Sequence, residues 1–140
     1  MNRILGIDFG TRRIGLALSD PTGMMASPLP FLENAGNREV VSKLQELVQS
    51  HGVKTLVIGL PRNMDGTYGP SALKVREFIT QIQPKLSAEI VTQDERLTTV
   101  QASRDLVQMG LSQKELRKKI DSSSATLILQ QYLDRNLPNP

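Results

Sequence analysis

Three acidic residues, Asp8, Glu95 and Asp121, occupy positions at which a carboxylate could do chemistry. Asp8 ends an apolar strand, and because strand side chains alternate between faces it shares one with Ile4 and Gly6. An ionised carboxylate in an apolar setting is costly unless it is paired or coordinates a metal. The sequence therefore predicts a cationic partner for Asp8.

Two of the three acids also have a structural interpretation, which the sequence leaves open. Asp121 precedes three serines and suits the N-cap of a helix. Glu95 can form a solvated ion pair of small energetic value with Arg96 or Arg104. Asp8 has no comparable role, because a residue at the end of a strand caps no helix.

A divalent cation would offset the mutual repulsion of the three acids if they converge. Two ions about 4 Å apart can stabilise the attacking and leaving oxygens of a phosphodiester displacement. The chain has no cysteine and one histidine, His51, so a metal site would rely on oxygen ligands and favour Mg²⁺ or Mn²⁺ over zinc. His51 precedes Gly52 and is interpreted as part of a helix stop signal.

Length and composition predict one domain spanning residues 1–140. The chain has 39% hydrophobic and 22% charged residues, which is typical of globular proteins. It contains neither an apolar run near the ~20 residues needed to span a bilayer nor a secretion signal. We therefore expect a cytoplasmic protein that does not enter membranes.

The hydrophobic pattern predicts an α/β fold. Apolar and alternating runs predict strands at 3–8, 13–19, part of 24–32, 55–59 and 89–93. Helical periodicity and capping signals predict helices over about 37–50, from 70 or 71 to Pro84, over 98–109, from Ser112, and over about 121–134. An antiparallel meander followed by βα units indicates a mixed sheet with helices on both faces. Sites in such sheets collect beyond the carboxyl ends of the strands, where Asp8 and Glu95 would stand.

Two helices have a predicted buried face. The helix from residue 70 or 71 is expected to turn Leu73, Phe78 and Ile82 inward. The last helix is expected to bury a set of apolar residues that recur at helical spacing, namely Ala125, Ile128, Leu129 and either Tyr132 or Leu133.

Four motifs in this chain resemble those of the YqgF/RuvX family. They are Ile7-Asp8-Phe9-Gly10-Thr11 with Ile14-Gly15-Leu16-Ala17, Gly59-Leu60-Pro61 with Asn63-Met64-Asp65-Gly66, Asp94-Glu95-Arg96-Leu97-Thr98-Thr99, and Asp121-Ser122-Ser123-Ser124-Ala125. The family is described as pre-16S rRNA nucleases and as Holliday junction resolvases. The resemblance implies an RNase H-like fold with three antiparallel strands followed by two parallel ones, and a divalent-metal site at Asp8, Glu95 and Asp121.

The resemblance also implies the reaction, metal-dependent endonucleolytic hydrolysis of structured nucleic acid. It implies 5′-end processing of pre-16S rRNA first, with pre-ribosomal particles as partners, and Holliday junction resolution second. Resolvase relatives carry two acids separated by two residues on the last helix, whereas this chain has Asp121 and Ser124. Which of the two acids Asp121 replaces therefore stays open, and so does the strength of a second metal site.

Two rival functions remain open at the level of sequence. The first is a non-catalytic nucleic-acid-binding module in which the acids only cap and pair. The second is a nucleotide-binding ATPase of actin-like descent, because the turn from Asp8 to Thr11 resembles a phosphate-binding loop. That second rival lacks support elsewhere, since one domain of this length supplies only half of such a site and no second Asp-x-Gly-Gly loop occurs.

Basic residues near the predicted site favour a polyanionic partner. The net charge is +3, and the candidate phosphate ligands are Arg12, Arg13, Arg62, Arg96, Lys118 and Lys119. A solvated basic face is the competing interpretation. Aromatic residues make up 4% of the chain and tryptophan is absent, which disfavours a stacking platform for single strands. We therefore expect recognition of structured RNA or branched DNA by backbone and shape. The sequence is compatible with a monomer or a dimer.

Overall fold

Five strands form one mixed sheet in the order β3-β2-β1-β4-β5. The computed structural model describes residues 3–61, 68–94 and 113–135, excepting the side chains of residues 94 and 113–123. The strands are β1 (Arg3–Phe9), β2 (Arg13–Ser19), β3 (Ala26–Glu33), β4 (Val53–Leu60) and β5 (Glu89–Asp94). The helices are α1 (Asn37–His51), α2 (Pro70–Ile82), which a 3₁₀ turn (Gln83–Lys85) follows, and α3 (Gln113–Arg135).

The pairing of the strands confirms the predicted topology. β2 pairs antiparallel with both β1 and β3, whereas β4 runs parallel to β1, and β5 runs parallel to β4. β1 is therefore the central strand. β3 is an outer strand, as Pro28 and Pro30 predicted, because proline cannot donate a ladder hydrogen bond.

One face of the sheet packs against α1 and α2. Leu5 and Ile7 of β1 are completely buried on this face, in a cluster with the inward side chains of both helices. Phe9 continues the same alternation and stacks on Phe78 of α2, with ring centroids 4.4 Å apart. Phe78 and Ile82 are buried as predicted, but the prediction for Leu73 is wrong. Leu73 is 61% exposed, because the inward stripe of α2 instead passes through Ala72 and Val75.

The opposite face of the sheet packs against α3. Ala17 of β2 and Val57 of β4 are completely buried in this second cluster. The helix contributes the residues predicted from their spacing, namely Ala125, Ile128, Leu129 and Leu133, each at most 2% exposed. Tyr132 is only partly buried beside them.

α3 approaches the sheet closely at Gly6 of β1. A Cβ atom at Gly6 would lie 2.8 Å from the Cβ of Leu129 and 3.0 Å from the carbonyl oxygen of Ala125. The absence of a side chain at Gly6 is therefore what lets α3 rest directly on the central strand.

The last helix corrects one prediction. The short basic helix from Ser112 and the final helix from Asp121 are one continuous helix from Gln113 to Arg135. Asp121 is thus an interior residue of α3, and its interpretation as an N-cap is wrong. The physical reason is that residues 113–120 favour helix and contain neither glycine nor proline, so nothing ends the helix before Asp121.

α1 ends as its sequence predicted. Gly52 adopts a left-handed conformation with φ 63°, and its N–H donates to the carbonyl of Val48. His51 occupies the last turn, where its ring nitrogen lies 3.4 Å from the guanidinium of Arg3 at the start of β1. Among the helices of the described ranges, none combines the length and apolar character needed to cross a membrane.

Asp20 organises the loop between β2 and β3. Its carboxylate accepts hydrogen bonds from the Thr22 hydroxyl (2.6 Å) and from the backbone N–H groups of Met24 (2.8 Å) and Met25 (3.2 Å). These bonds favour the ionised form and lower the pKa of Asp20 below its ordinary value of 3.8, the Thr22 hydroxyl having the largest effect. Gln130 of α3 secures the same loop by donating to the Met24 carbonyl at 3.0 Å.

The lowered pKa of Asp20 predicts a pH-dependent contribution to stability. The unfolded chain binds the proton more readily, so the stabilisation is complete above the ordinary pKa of 3.8 and is lost as pH falls through the lower folded value. We expect Asp20→Asn to be less stable than the wild type at neutral pH, with the difference shrinking as pH falls below about 4. Urea unfolding at several pH values measures the difference in unfolding free energy between the two proteins. A difference independent of pH would contradict a role for the ionised Asp20 carboxylate.

Candidate active site

Asp8 stands at the carboxyl end of the central strand, on the face that α3 covers. It pairs with Gly15 of β2 and is half-buried. The alternation that turns Ile7 toward α1 and α2 places Asp8 on the same face as Ile4 and Gly6. The predicted sharing of a face is therefore confirmed, and Asp8 belongs to the face of the sheet against which α3 packs.

The turn after Asp8 is tight and is held by a residue that the sequence interpretation missed. A Cβ atom at Gly10 would lie 2.4 Å from the carbonyl oxygen of Arg13, so the turn excludes a side chain there. The Asn34 side chain donates to the Gly10 carbonyl at 2.9 Å, and the Asn34 backbone N–H donates to the Arg12 carbonyl at 2.9 Å. Asn34 thereby fastens the turn to the end of β3.

Removing the Asn34 side chain should loosen this turn. We expect Asn34→Ala to lose at least about 0.5–1.5 kcal/mol of unfolding free energy, the usual value of one hydrogen bond, because the Asn34 side chain donates to the Gly10 carbonyl and also accepts a longer bond (3.4 Å) from the Gly36 N–H. Asn34→Asp should lose a similar amount, because a carboxylate cannot donate to the Gly10 carbonyl. Urea unfolding checks both, with the exposed neighbour substitution Glu33→Gln as control. Wild-type stability in Asn34→Ala would show that the bond contributes nothing.

The predicted phosphate ligands divide into three groups by position. Arg12 is exposed in the turn after Asp8, while the guanidinium of Arg13 lies 5.0 Å from the centre of the Phe31 ring. Lys118 and Lys119 lie in α3, and their side chains are not described. Arg62 and Arg96 lie outside the described residues. Arg12 is thus placed in the turn that follows Asp8, and the phosphate-binding role of all six residues stays a prediction.

A second residue that the sequence interpretation did not single out links β5 to α3. Gln93 is 4% exposed, near the carboxyl end of β5. Its amide lies within 3.5 Å of the Gln131 amide oxygen and accepts from the Arg135 guanidinium at 3.4 Å. Because a buried amide needs hydrogen-bond partners, these contacts fix how the end of β5 sits against the helix.

The structure places one of the three predicted acids fully and a second by its backbone. Glu95 lies outside the described residues, directly after the last residue of β5. Asp121 lies in α3, four residues before Ala125, whose carbonyl oxygen is the one that approaches Gly6. No group of three potential metal-ligating residues occurs among the described side chains. The convergence of the three acids therefore stays a prediction.

Two solved structures share this fold. The fowlpox virus resolvase, in complex with Holliday junction DNA, aligns with a TM-score of 0.59 and 15% sequence identity, covering 97% of this chain and 99% of its own. T. thermophilus RuvC, in complex with a Holliday junction substrate, aligns with a TM-score of 0.55 and 14% identity, covering 95% of this chain and 94% of its own. The protein thus has the RNase H-like fold of the resolvases, as its sequence predicted.

The sequence comparisons are more specific. The family described as "RuvX: Holliday junction resolvase" matches residues 2–135. A relative from Moorella thermoacetica, named "Putative pre-16S rRNA nuclease", is 47% identical over 133 residues, which cover 95% of each chain. This chain belongs to the RuvX family, which confirms the resemblance seen in its motifs.

Proposed function

We propose that this chain is a divalent-metal-dependent endonuclease that cuts phosphodiesters in structured nucleic acid. The observation that carries the proposal is the half-buried carboxylate of Asp8, at the end of the central strand of an RNase H-like sheet. The names of the family and of the similar relative support the same class of reaction.

Register and helical spacing support convergence of the other two acids on Asp8. Gln93, two residues before Glu95 in the chain, contacts α3, so the end of β5 lies against the helix that carries Asp121. β5 is two strands from β1, a separation of about 10 Å. Asp121 precedes Ala125 by about 6 Å along the helix axis, and Asp8 lies about 7 Å beyond Gly6. Carboxylate side chains can span separations of this size around a shared cation.

The donor set fits Mg²⁺ or Mn²⁺, because carboxylate oxygens are the ligands that these cations prefer. Such an ion, when bound, polarises the phosphodiester and lowers the pKa of a water nucleophile. Asp8, Glu95 and Asp121 are proposed to hold it, and Arg12 to bind a neighbouring phosphate. His51 is excluded as a general base, since it contacts Arg3 at the far end of β1 from Asp8.

For the substrate we propose the 5′ end of pre-16S rRNA, met in the cytoplasm on pre-ribosomal particles. The name of the M. thermoacetica relative supports this choice. The family's description as a Holliday junction resolvase favours the second candidate, a four-way DNA junction. The two substrates share the requirement for a backbone presented at the carboxyl edge of the sheet.

A direct cleavage assay tests the reaction and separates the substrates. The purified chain is incubated with Mg²⁺ or Mn²⁺ and either an rRNA fragment carrying the 5′ precursor extension or a four-way DNA junction. We expect metal-dependent cutting of the RNA at one position, and none with a chelator present. Cutting of the junction alone would select the second substrate. Salt-sensitive binding to both without cutting of either would instead support the non-catalytic module.

A further inference from the structure

Two partly exposed apolar side chains and an arginine form a patch at the start of α2. Tyr68 is 47% exposed and Leu73 is 61% exposed. The guanidinium of Arg76 lies 5.0 Å from the centre of the Tyr68 ring, a cation–π arrangement that holds the ring in place. Tyr68, Leu73 and Arg76 are called the α2 patch below.

The α2 patch projects from the sheet edge that carries Asp8. α2 connects the parallel strands β4 and β5, so it runs back from their carboxyl ends toward their amino ends. Phe78 stacks on Phe9, the residue after Asp8. The helix begins eight residues before Phe78, which is about 12 Å of helix. The start of α2 therefore extends past the end of β1.

We propose that the α2 patch holds one unpaired nucleobase of the substrate, next to the strand that Asp8 engages. The inference rests on the proposed nuclease function and adds a contact to it. An aromatic ring with a guanidinium over one face is suited to stack a base and bind its phosphate. One ring is enough for one base, whereas the extended platforms that the low aromatic content disfavours need several.

Charge and area both favour a nucleotide over a protein as the occupant. The first turn of α2 has no acidic residue, and Lys74 is exposed beside Leu73. A stable protein interface usually buries more than about 1,000 Å² in total, which two side chains do not approach. A single base with its phosphate matches the size and the charge of the patch.

Fluorescence of a base analogue tests the inference without requiring cleavage. The full chain with Asp8→Asn is titrated with RNA hairpins that carry 2-aminopurine at one unpaired position, scanned along the single-stranded extension. We expect quenching at one position, and about tenfold weaker binding without quenching in Tyr68→Ala. Tyr68→Phe should retain both signals, and Tyr68→Leu should lose the quenching. Arg76→Ala should weaken binding more than Arg76→Lys.

The control is Lys85→Ala, which removes an exposed positive charge in the 3₁₀ turn after α2, beyond the end of the helix opposite to the α2 patch, and should leave quenching unchanged. The inference would be overturned if Tyr68→Ala kept wild-type quenching and affinity. It would also be overturned if the protein with intact Tyr68 bound the RNA but quenched 2-aminopurine at none of the scanned positions. The two proposals fail separately. If the base analogue is quenched but the wild-type chain never cuts RNA, the α2 patch proposal stands and the nuclease proposal is refuted. If the wild-type chain cuts RNA but no position is quenched, the nuclease proposal stands and the α2 patch proposal is refuted.

Discussion

Asp8→Asn should reduce metal-dependent cleavage more than about 100-fold, because loss of an outer-shell partner alone typically costs 10–100-fold. Asparagine has nearly the same shape as aspartate, but it supplies a neutral oxygen in place of a carboxylate. The substitution should therefore remove affinity for a divalent cation while α3 and the sheet keep their packing. Cleavage of the rRNA fragment over a range of Mn²⁺ concentrations measures the effect.

Asp20→Asn is the matched control for Asp8→Asn. Asp20 is also an aspartate at a strand end, but it follows β2 and so lies at the opposite edge of the sheet. It should lose stability near neutral pH and retain cleavage. Thermal unfolding adds a measurement that does not depend on activity, since Mn²⁺ at 100 times its Kd should stabilise the wild type by about 2.7 kcal/mol. Equal cleavage by Asp8→Asn and wild type would refute the metal-site assignment.

Gly6→Ala should strongly destabilise the fold, because it adds a methyl group where α3 contacts the central strand. The added Cβ would meet the Leu129 Cβ at 2.8 Å and the Ala125 carbonyl oxygen at 3.0 Å. Neither atom can move away by rotation of a side chain, so α3 has to shift as a body. We expect a loss of about 1–3 kcal/mol of unfolding free energy, typical of overpacking, and a larger loss for Gly6→Val.

Equilibrium unfolding in urea measures the loss at Gly6, and cleavage reports whether α3 has moved. Because α3 carries Asp121, a displaced helix should lower activity even under conditions where Gly6→Ala stays folded. Leu73→Ala, on the exposed side of α2, is the control for the stability measurement alone and should change the unfolding free energy by less than about 0.5 kcal/mol. Wild-type stability in Gly6→Ala would mean that α3 does not rest on Gly6 in solution.

The positions of the strands along the chain could be predicted from the sequence because the relevant signals are local, whereas the placement of β4 and β5 beside β1 was implied by the family resemblance. The run from Ile4 to Phe9 shows the alternation that assigns Asp8 to one face of the sheet, and the structure confirms it. Boundaries were less reliable where two helix-favouring segments adjoin. The serines after Asp121 looked like a start signal, yet the turn before them was helical as well.

The contacts that shape the candidate site could not be read from the sequence, because they join residues far apart in the chain. Asn34 reaches back 24 positions to Gly10, and Gln93 meets Gln131 across 38 positions. A surface amide and a buried amide look alike in a sequence. Leu73 is a further example. The apolar spacing of α2 is compatible with an inward face through Leu73 or through Ala72 and Val75, and packing against the sheet decides between them.

The two prolines of β3 have a consequence for assembly. A strand at the border of a sheet exposes unpaired backbone N–H and C=O groups, with which a strand of another molecule can pair. Proline lacks the backbone N–H and so removes one of these donors. Pro28 and Pro30 lie within β3, so a continuous intermolecular sheet grown outward from this border is disfavoured. A dimer that binds a two-fold symmetric junction would therefore associate through a surface other than β3.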